Sequence, residues 1–158
     1  MAASIFAQIP VEAKLSAQDR LNPHVSQRET LYIFDRVEDA DHILLDVTED
    51  SWPLHPVELW HRVDGYLNQE FGIKAARDGY LLLARNSSTL PTELPDEFFS
   101  FARVPNGFSP ANKTHLVFEN ELEMLGYQLE VGGHEKFLPV VTLYWRALQP
   151  LDRDYMLR

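Results

Sequence analysis

The stretch HILLDV, residues 42–47, is the segment from which the fold can be argued. Its apolar residues follow one another without a break, so a strand formed here has apolar side chains on both of its faces. Strands of this kind lie in sheets that carry helices on both sides. The segment therefore predicts a layered α/β unit built around a buried central strand.

The sequence on either side of this strand extends the same pattern. AKLSA, residues 13–17, and TLYIF, residues 30–34, are short strand-like segments, and a proline follows His55 where a helix can begin. Asp78-Gly79 favours a tight hairpin turn between two further strands. We predict a small Rossmann-like α/β unit with a mixed sheet over residues 10–85. The apolar residues of its helix recur at helical spacing: Leu59, Trp60, Val63, Tyr66 and Leu67.

The composition changes after residue 85. Residues 86–113 contain four prolines and no sustained periodicity, and we interpret them as a connector that docks through the aromatic FFSF segment, residues 98–101. Residues 114–158 alternate strand-like segments with turn residues, including Gly132 and Gly133, and predict a β-sandwich-like all-β unit that is incomplete at its end. The predicted fold class is α+β.

Charge and composition limit the classes of function. The chain has 24 acidic and 14 basic residues, a net charge of −10 at pH 7, which disfavours nucleic acid as a partner. It contains no cysteine, which excludes a disulfide, a thiol nucleophile and a thiolate metal site. No glycine-rich phosphate loop follows the first strand, and no Ser, His and Asp set has a hydrolase signature. We predict no cofactor, no metal and no catalytic residues.

A polar segment, residues 16–28, follows the first strand, at the position where open α/β sheets bind ligands. Asp19, His24, Ser26 and Arg28 are our candidate ligand-binding residues there. The alternative is that these side chains hold an irregular loop, with Arg28 paired to a carboxylate such as Asp19 or Asp46. The second interpretation is the more economical one.

Two other groups of polar residues carry possible metal ligands. The first group lies on the predicted helix, where the rotation between successive members prevents the three side chains from converging on one ion. The second group alternates along a predicted strand. Alternation can build a calcium site, but a solvated outer face explains it more simply. The two groups are His55, Glu58 and His61, and Glu119, Glu121 and Glu123.

Several segments resemble a known family. LSAQDRLNPHVSQRETLYIF (15–34), DADHILLDV (39–47) and FGIKAARDGYLLLAR (71–85) resemble the C-terminal extramembrane region of a family of predicted multi-pass bacterial membrane proteins of unknown function, which are glycosyltransferase-like. LEMLGYQLEVGG (122–133) and VTLYWRALQPLDRDY (141–155) are similar to the start of a β-sandwich module fused to such proteins. Two departures from that pattern are Asp35, where a proline is expected, and the absence of a membrane helix.

The resemblance implies a non-catalytic accessory domain on the extracytoplasmic face of the bacterial cell membrane. Its partners would be the parent membrane domain and a glycan, a lipid-linked sugar or another protein, and glycosyl transfer would reside in a membrane portion outside this chain. The alternative is a free-standing carbohydrate- or small-ligand-binding protein. An open strand edge near the carboxyl end, with Tyr155 and Leu157 beside it, also predicts a homodimer through the C-terminal strands.

Overall fold

The computed structural model describes residues 2–48, 54–85, 89–130 and 139–151. The chain divides into two units, Met1–Arg103 and Val104–Arg158. The first contains a mixed five-stranded sheet and the second a three-stranded antiparallel sheet, which makes the fold α+β. The predicted turn at Gly132-Gly133 and the predicted edge residues Tyr155 and Leu157 lie outside the described residues.

The first unit alternates short helices with strands. Its helices are α1 (Ala2–Phe6), α2 (Asn22–Val25) and α3 (Pro56–Leu67), with two 3₁₀ helices at Asp19–Leu21 and Asp96–Ala102. Its strands are β1 (Leu15–Ala17), β2 (Leu31–Ile33), β3 (His42–Asp46), β4 (Phe71–Arg77) and β5 (Tyr80–Arg85).

The sheet of the first unit is mixed because a hairpin joins a parallel core. The strand order is β2-β1-β3-β5-β4. Strand β1 pairs in parallel with β2 and β3, whereas β5 is antiparallel to both β3 and β4. Strand β3 is therefore the centre of the sheet, as the HILLDV segment predicts.

Two apolar clusters cover the two faces of this sheet. Ile43 and Leu45 of β3 join one cluster with α3 and the second 3₁₀ helix, while Leu44 joins the other with β1, α1 and α2. All five residues of β3 are buried. This explains the unbroken apolar run, because a strand between two helical layers has no face in water.

Helix α3 begins where the sequence predicts. The backbone N–H of Val57 donates to Nδ1 of His55, and the backbone N–H of His55 donates to the Glu58 carboxylate, both at 3.3 Å. This reciprocal capping supplies partners at the amino end of the helix. Leu59, Val63 and Leu67 form its buried face, as the helical spacing predicts. His55 and Glu58 therefore act as helix caps.

The β4–β5 hairpin turns at Asp78-Gly79 as predicted, and this turn is hydrogen-bonded to the second 3₁₀ helix. Asp78 and Gly79 have φ values of 49° and 77°, the left-handed conformation of a tight hairpin turn. The Gly79 N–H donates to the Phe98 carbonyl at 2.8 Å. The Phe98 ring is fully buried in the core, whereas Phe99 and Phe101 of the same segment are exposed.

The second unit is an antiparallel meander. It consists of β6 (Asn112–Phe118), β7 (Leu122–Glu130) and β8 (Val140–Ala147), in the order β6-β7-β8. Glu119 and Asn120 form the turn between β6 and β7, with φ values of 50° and 60°. Within the described residues this unit has one sheet, and the second sheet of the predicted sandwich is not among them.

One face of this sheet is apolar. Every second residue of β8 points to this face: Val141, Leu143, Trp145 and Ala147. Their cross-strand partners point to the same face. The opposite face carries polar pairs, such as Glu123 opposite Arg146 and Gln128 opposite Thr142. The partners on the apolar face are Leu122, Met124, Tyr127 and Leu129 of β7 and Leu116 and Phe118 of β6. We call this set the apolar face.

Candidate functional site

The connections after β1 and β3 leave the sheet on opposite sides. Residues after β1 form the first 3₁₀ helix and α2, whose Leu21 and Val25 pack on the face that contains Leu44. Helix α3, which comes after β3, packs on the other face. In open α/β sheets, ligands bind at the carboxyl ends of adjacent strands whose connections diverge in this way. The carboxyl ends of β1 and β3 therefore form the candidate site.

A buried polar network occupies this position. Gln18 is 2% exposed and Asp46 3% exposed. The Gln18 side-chain oxygen accepts the Asp46 N–H at 2.7 Å. The Asp46 carboxylate accepts from the Thr48 N–H at 2.9 Å and from the Thr48 hydroxyl at 2.7 Å. Arg20 pairs with the same carboxylate at 3.1 Å and donates to the Asp46 carbonyl at 2.7 Å.

The network is built to hold strand ends together. The Asp46 carboxylate already accepts from Thr48 and pairs with a cation, which balances the cost of burying its charge. The contacts with Thr48 and Arg20 occupy most of the acceptor positions of this carboxylate. Within the described part of the chain, Nε2 of Gln18 is buried without a hydrogen-bond partner. That amide is a donor within the network that can meet a ligand oxygen or a water molecule.

The four predicted ligand-binding residues lie beside this network on the loop after β1. Asp19 is exposed at the start of the 3₁₀ helix, the His24 ring stacks on Phe6 with centroids 6.0 Å apart, and the Ser26 hydroxyl is 3.5 Å from the Pro23 carbonyl. Among the described residues, no hydrogen bond or ion pair joins any two of the four, Arg28 included. The structure places them on one loop without bringing their side chains together.

Arg28 holds the loop through carbonyl oxygens. Its guanidinium donates to the carbonyl of Val25 at 2.7 Å and lies 3.4 and 3.5 Å from the carbonyls of Pro10 and Ala13. Partial burial lowers the pKa of this guanidinium, which stays a cation because its ordinary pKa is so high. Asp46, which the sequence suggested as a partner for Arg28, pairs with Arg20 instead.

A cavity of about 510 Å³ opens beside this loop, lined by Arg28 and Val11 with Glu12, Gln27 and Glu29. Its mouth is open to solvent on the outer surface of the loop. Two carboxylates flank the single guanidinium, so an anion entering the cavity would meet negative charge as well as positive. The cavity favours a small polar ligand over a purely anionic one.

The sequence predicts that Glu119, Glu121 and Glu123 share one solvated face of a strand, and the structure arranges them differently. Glu119 belongs to the turn before β7, while Glu123 is 5% exposed and lies between two basic side chains. Its carboxylate accepts from Arg146 at 2.8 and 2.5 Å and lies 2.7 Å from Nδ1 of His115. The prediction that Glu123 points into solvent is wrong, because the side chains of Arg146 and His115 on the neighbouring strands cover its carboxylate.

These neighbours change the titration of Glu123. The hydrogen bonds from Arg146, and after them the contact with His115, hold the pKa of the Glu123 carboxyl below its ordinary value. Across residues 2–48, 54–85, 89–130 and 139–151, no group of three His, Asp or Glu side chains is placed to hold a metal ion. Glu123 is therefore an ion-pairing residue of the sheet.

A pair of basic residues, His42 and Lys74, lies at the amino end of β3. The sequence analysis did not identify this pair. Nζ of Lys74 is 3.1 Å from Nε2 of His42, the first residue of β3. Lys74 sits where β4 has a register shift between Ile73 and Ala75. No sequence pattern marked this pair, because a bulge decides which way the Lys74 side chain points. Gln18 and Arg20 were missed for a simpler reason: they directly follow β1, and the same argument that selected Asp19 could have included them.

Comparison of the chain with family models, with curated proteins and with solved structures finds no match in any of the three. The glycosyltransferase-like family is thus a resemblance carried by the quoted segments alone. None of the described helices combines the length and the apolar character needed to cross a membrane.

Proposed function

We propose that this chain is a non-catalytic accessory module whose second unit binds a protein partner through the apolar face. In this proposal the partner is the membrane domain of a glycosyltransferase-like parent protein at the extracytoplasmic face of the bacterial membrane. The module would position a glycan or a lipid-linked sugar for chemistry carried out in that membrane domain.

The observation that carries the proposal is the exposure of the apolar face. Leu129 and Val141, which pair across β7 and β8, are 51% and 52% exposed, and Leu116 and Phe118 are exposed on β6. With the exception of Pro110, the buried apolar side chains among the described residues belong to the first unit. A sheet normally covers its apolar side with a second layer, and a contiguous apolar surface of this kind is typical of a protein interface.

The resemblance supplies the identity of the partner. The segments that resemble the membrane-protein family lie in both units, and in that family the corresponding region belongs to the same chain as the membrane helices. The ion-paired state of Asp46 and Glu123 is consistent with a binding role, since both carboxylates are already occupied.

The open reading frame that encodes this chain provides the first test. Apolar spans of about 20 residues in frame with the chain are expected if it is part of a membrane protein. Stop codons on both sides would overturn the assignment of the partner and favour a free-standing protein.

Site-specific crosslinking provides the second test, in the protein with its membrane domain. A photoreactive benzoylphenylalanine at Val141, on the apolar face, is expected to crosslink to the membrane domain. The matched control is the same group at Thr142, the next residue on β8, whose side chain lies on the opposite face. Equal crosslinking from both positions, or none from Val141, would contradict docking through the apolar face.

A free-standing small-ligand-binding protein is the second candidate, and the cavity beside Arg28 favours it. That function would require a ligand to reach Glu12, Gln27 and Glu29 in the cavity wall. The reading frame distinguishes the two candidates, because only the first requires neighbouring membrane spans.

A further inference from the structure

His42 and Lys74 form a contact between two basic groups on the sheet of the first unit. His42 pairs in register with Leu15 of β1, so its side chain shares the face of the sheet that α1 and α2 cover. Lys74 lies two strands away, across β5, and its Nζ approaches Nε2 of His42 to 3.1 Å. The contact therefore spans the amino end of the central strand.

The chemistry of this contact fixes the protonation of the ring. A lysine ammonium has three donors and no acceptor, so Nε2 of His42 must accept and the ring proton must be on Nδ1. Burial, and after it the charge of Lys74, lowers the pKa of His42, which keeps the ring neutral. His42 is 8% exposed, and within the described residues its Nδ1 is buried without a hydrogen-bond partner.

The ammonium of Lys74 has no carboxylate in direct contact among the described residues. Among the described residues no ion pair involves Lys74, although the chain carries ten more acidic than basic residues. Lys14, by contrast, pairs with Asp39. The charged groups that act on His42 are Lys74 from β4, Arg28 from the loop after α2, and Asp41, which precedes β3 and opposes the two cations.

We propose that Lys74 and His42 bind a small oxyanion, a phosphate or a carboxylate. The anion takes the place of Nε2 of His42 as the acceptor from the Lys74 ammonium, and its charge favours protonation of His42 at Nε2, which then donates to the anion as well. Binding is thus coupled to uptake of one proton by His42. The site lies in the first unit and does not depend on the proposed function, which concerns the second.

This site accounts for the arrangement better than a purely structural pair does. A lysine that only stabilised the sheet would be expected to meet a carboxylate, as Lys14 does, because a neutral imidazole leaves the charge of the ammonium uncompensated. A bound oxyanion supplies that negative charge and favours protonation of His42 as well. Glu12 and Glu29 lie beside Arg28, so the anion is expected at Lys74 and not in the cavity.

Titration of the protein with inorganic phosphate, at constant ionic strength against sodium chloride, tests the proposal. The imidazole NMR signals of His42 are expected to shift saturably, and the pKa of His42 is expected to rise when phosphate is bound. Affinity should increase as pH falls toward the range in which His42 protonates. Acetate in a second titration distinguishes a carboxylate ligand from phosphate, and phosphatidylglycerol vesicles, against phosphatidylcholine, distinguish a lipid headgroup from free phosphate.

Two substitutions complete the test. Lys74→Met is expected to weaken phosphate binding about tenfold or more, the effect of losing a charge-assisted hydrogen bond. Lys14→Met removes an equal charge from a lysine with a carboxylate partner and should leave the affinity unchanged. Lys74→Arg keeps the charge and should retain binding, which guards against a folding defect in the methionine variant.

No saturable shift of His42 with any of the anions would overturn the site. So would a Lys74→Met protein that binds phosphate like the parent, or a Lys14→Met protein that loses as much affinity as Lys74→Met. The last two outcomes would mean that phosphate binds elsewhere on the protein or acts only through its charge.

Discussion

Arg28 contacts three backbone carbonyls in the first unit. Its guanidinium reaches the carbonyl of Val25 at the end of α2 and lies near those of Pro10 and Ala13, which precede β1. Carbonyl oxygens that face a cation in a partly buried position would lose their partner if the side chain were removed. This geometry supports the view that Arg28 holds the loop, and the role of His24 and Ser26 in binding a ligand stays a prediction.

Replacing Arg28 with alanine is expected to lower the free energy of unfolding by about 1–3 kcal/mol, because charged hydrogen bonds to partly buried carbonyls are lost. Urea denaturation measures the effect. Arg103→Ala is the control, since Arg103 makes an exposed pair with Asp96 and should cost no more than about 1 kcal/mol. An Arg28→Ala protein of unchanged stability that loses binding to an anionic sugar would instead make this loop a ligand site.

Glu123 links stability to pH in the second unit. Because its folded pKa is lowered by Arg146 and His115, the stability that it contributes is present above the pKa of an unfolded glutamate, about 4.3. It is lost as the pH falls through the lowered folded value. The direction follows from the sign of the shift: the unfolded chain takes up the proton first.

Glu123→Gln is therefore expected to reduce the stability of the second unit at neutral pH and to flatten its dependence on acid. The indole N–H NMR signal of Trp145, followed from pH 7 downward, reports on this sheet. Glu130→Gln is the matched control, because Glu130 lies exposed on the same strand and, within the described residues, accepts from the exposed side chain of Gln128 and from no basic group. If both variants unfold in acid like the parent, the ion pairs of Glu123 do not determine acid stability.

At the scale of elements, the features that the sequence predicted correctly are those that depend on residues close together in the chain. The apolar run of β3, the Pro56 start of α3 and the turn at Asp78-Gly79 are each set by residues close together in sequence, and all three are confirmed. Long-range partners were not predictable in the same way. Arg20 rather than Arg28 reaches Asp46, 26 residues away, and Glu123 is buried by Arg146, 23 residues away, because strand register decides these contacts.

The β4–β5 turn joins three elements at one glycine. A Cβ on Gly79 would lie 2.3 Å from Cγ2 of Thr48 and 3.1 Å from the Phe101 ring. The Gly79 carbonyl also accepts from the Val47 N–H, so the turn contacts the end of β3 and the second 3₁₀ helix together. The position requires both a positive φ and the absence of a side chain.

Gly79→Ala is expected to destabilise the first unit by more than about 2 kcal/mol, because a left-handed alanine and a steric overlap with Thr48 both oppose it. Gly107→Ala is the matched control: its φ of 80° is similar, but nothing lies within 4 Å of the added Cβ. That variant should lose only about 1–2 kcal/mol, the cost of the backbone conformation. Equal losses in the two variants, measured by urea denaturation, would show that the contact with Thr48 is not restrictive.

At the scale of the whole molecule, the chain divides within the segment predicted as a connector. Phe98 and the Pro91 carbonyl bind to the first unit, while residues 103–109 are all exposed. Proteases cut first at exposed backbone outside regular secondary structure. The connector is therefore expected to be susceptible over a short part of its length only.

Trypsin is expected to cleave first after Arg103, producing fragments 1–103 and 104–158 that mass spectrometry identifies. Fragment 1–103 should keep its far-ultraviolet circular dichroism, since both apolar clusters of the sheet lie within it. A first cut after Arg77 or Arg85, inside the sheet, would contradict the division into two units.

The isolated chain is expected to associate with itself through the second unit. The sequence predicted a homodimer through an open strand edge, and the structure adds a second possible surface, the apolar face. Two such faces in contact would form the two-layer packing that a single sheet lacks. The net charge of −10 opposes association, so the experiment requires salt near physiological strength to screen it.

Light scattering after size exclusion measures the association, and two lysine substitutions on the central strand β7 identify the surface. Leu129→Lys places a charge on the apolar face and is expected to give a monomer, because burying an unpaired ammonium against apolar side chains is costly. Glu130→Lys changes the net charge by more, but residue 130 lies on the opposite face, so the Glu130→Lys protein should remain associated. Both leave the edge strands β6 and β8 unaltered. A Leu129→Lys protein that still dimerises would assign the contact to a strand edge, and a parent protein that is monomeric at tens of micromolar would remove the prediction altogether.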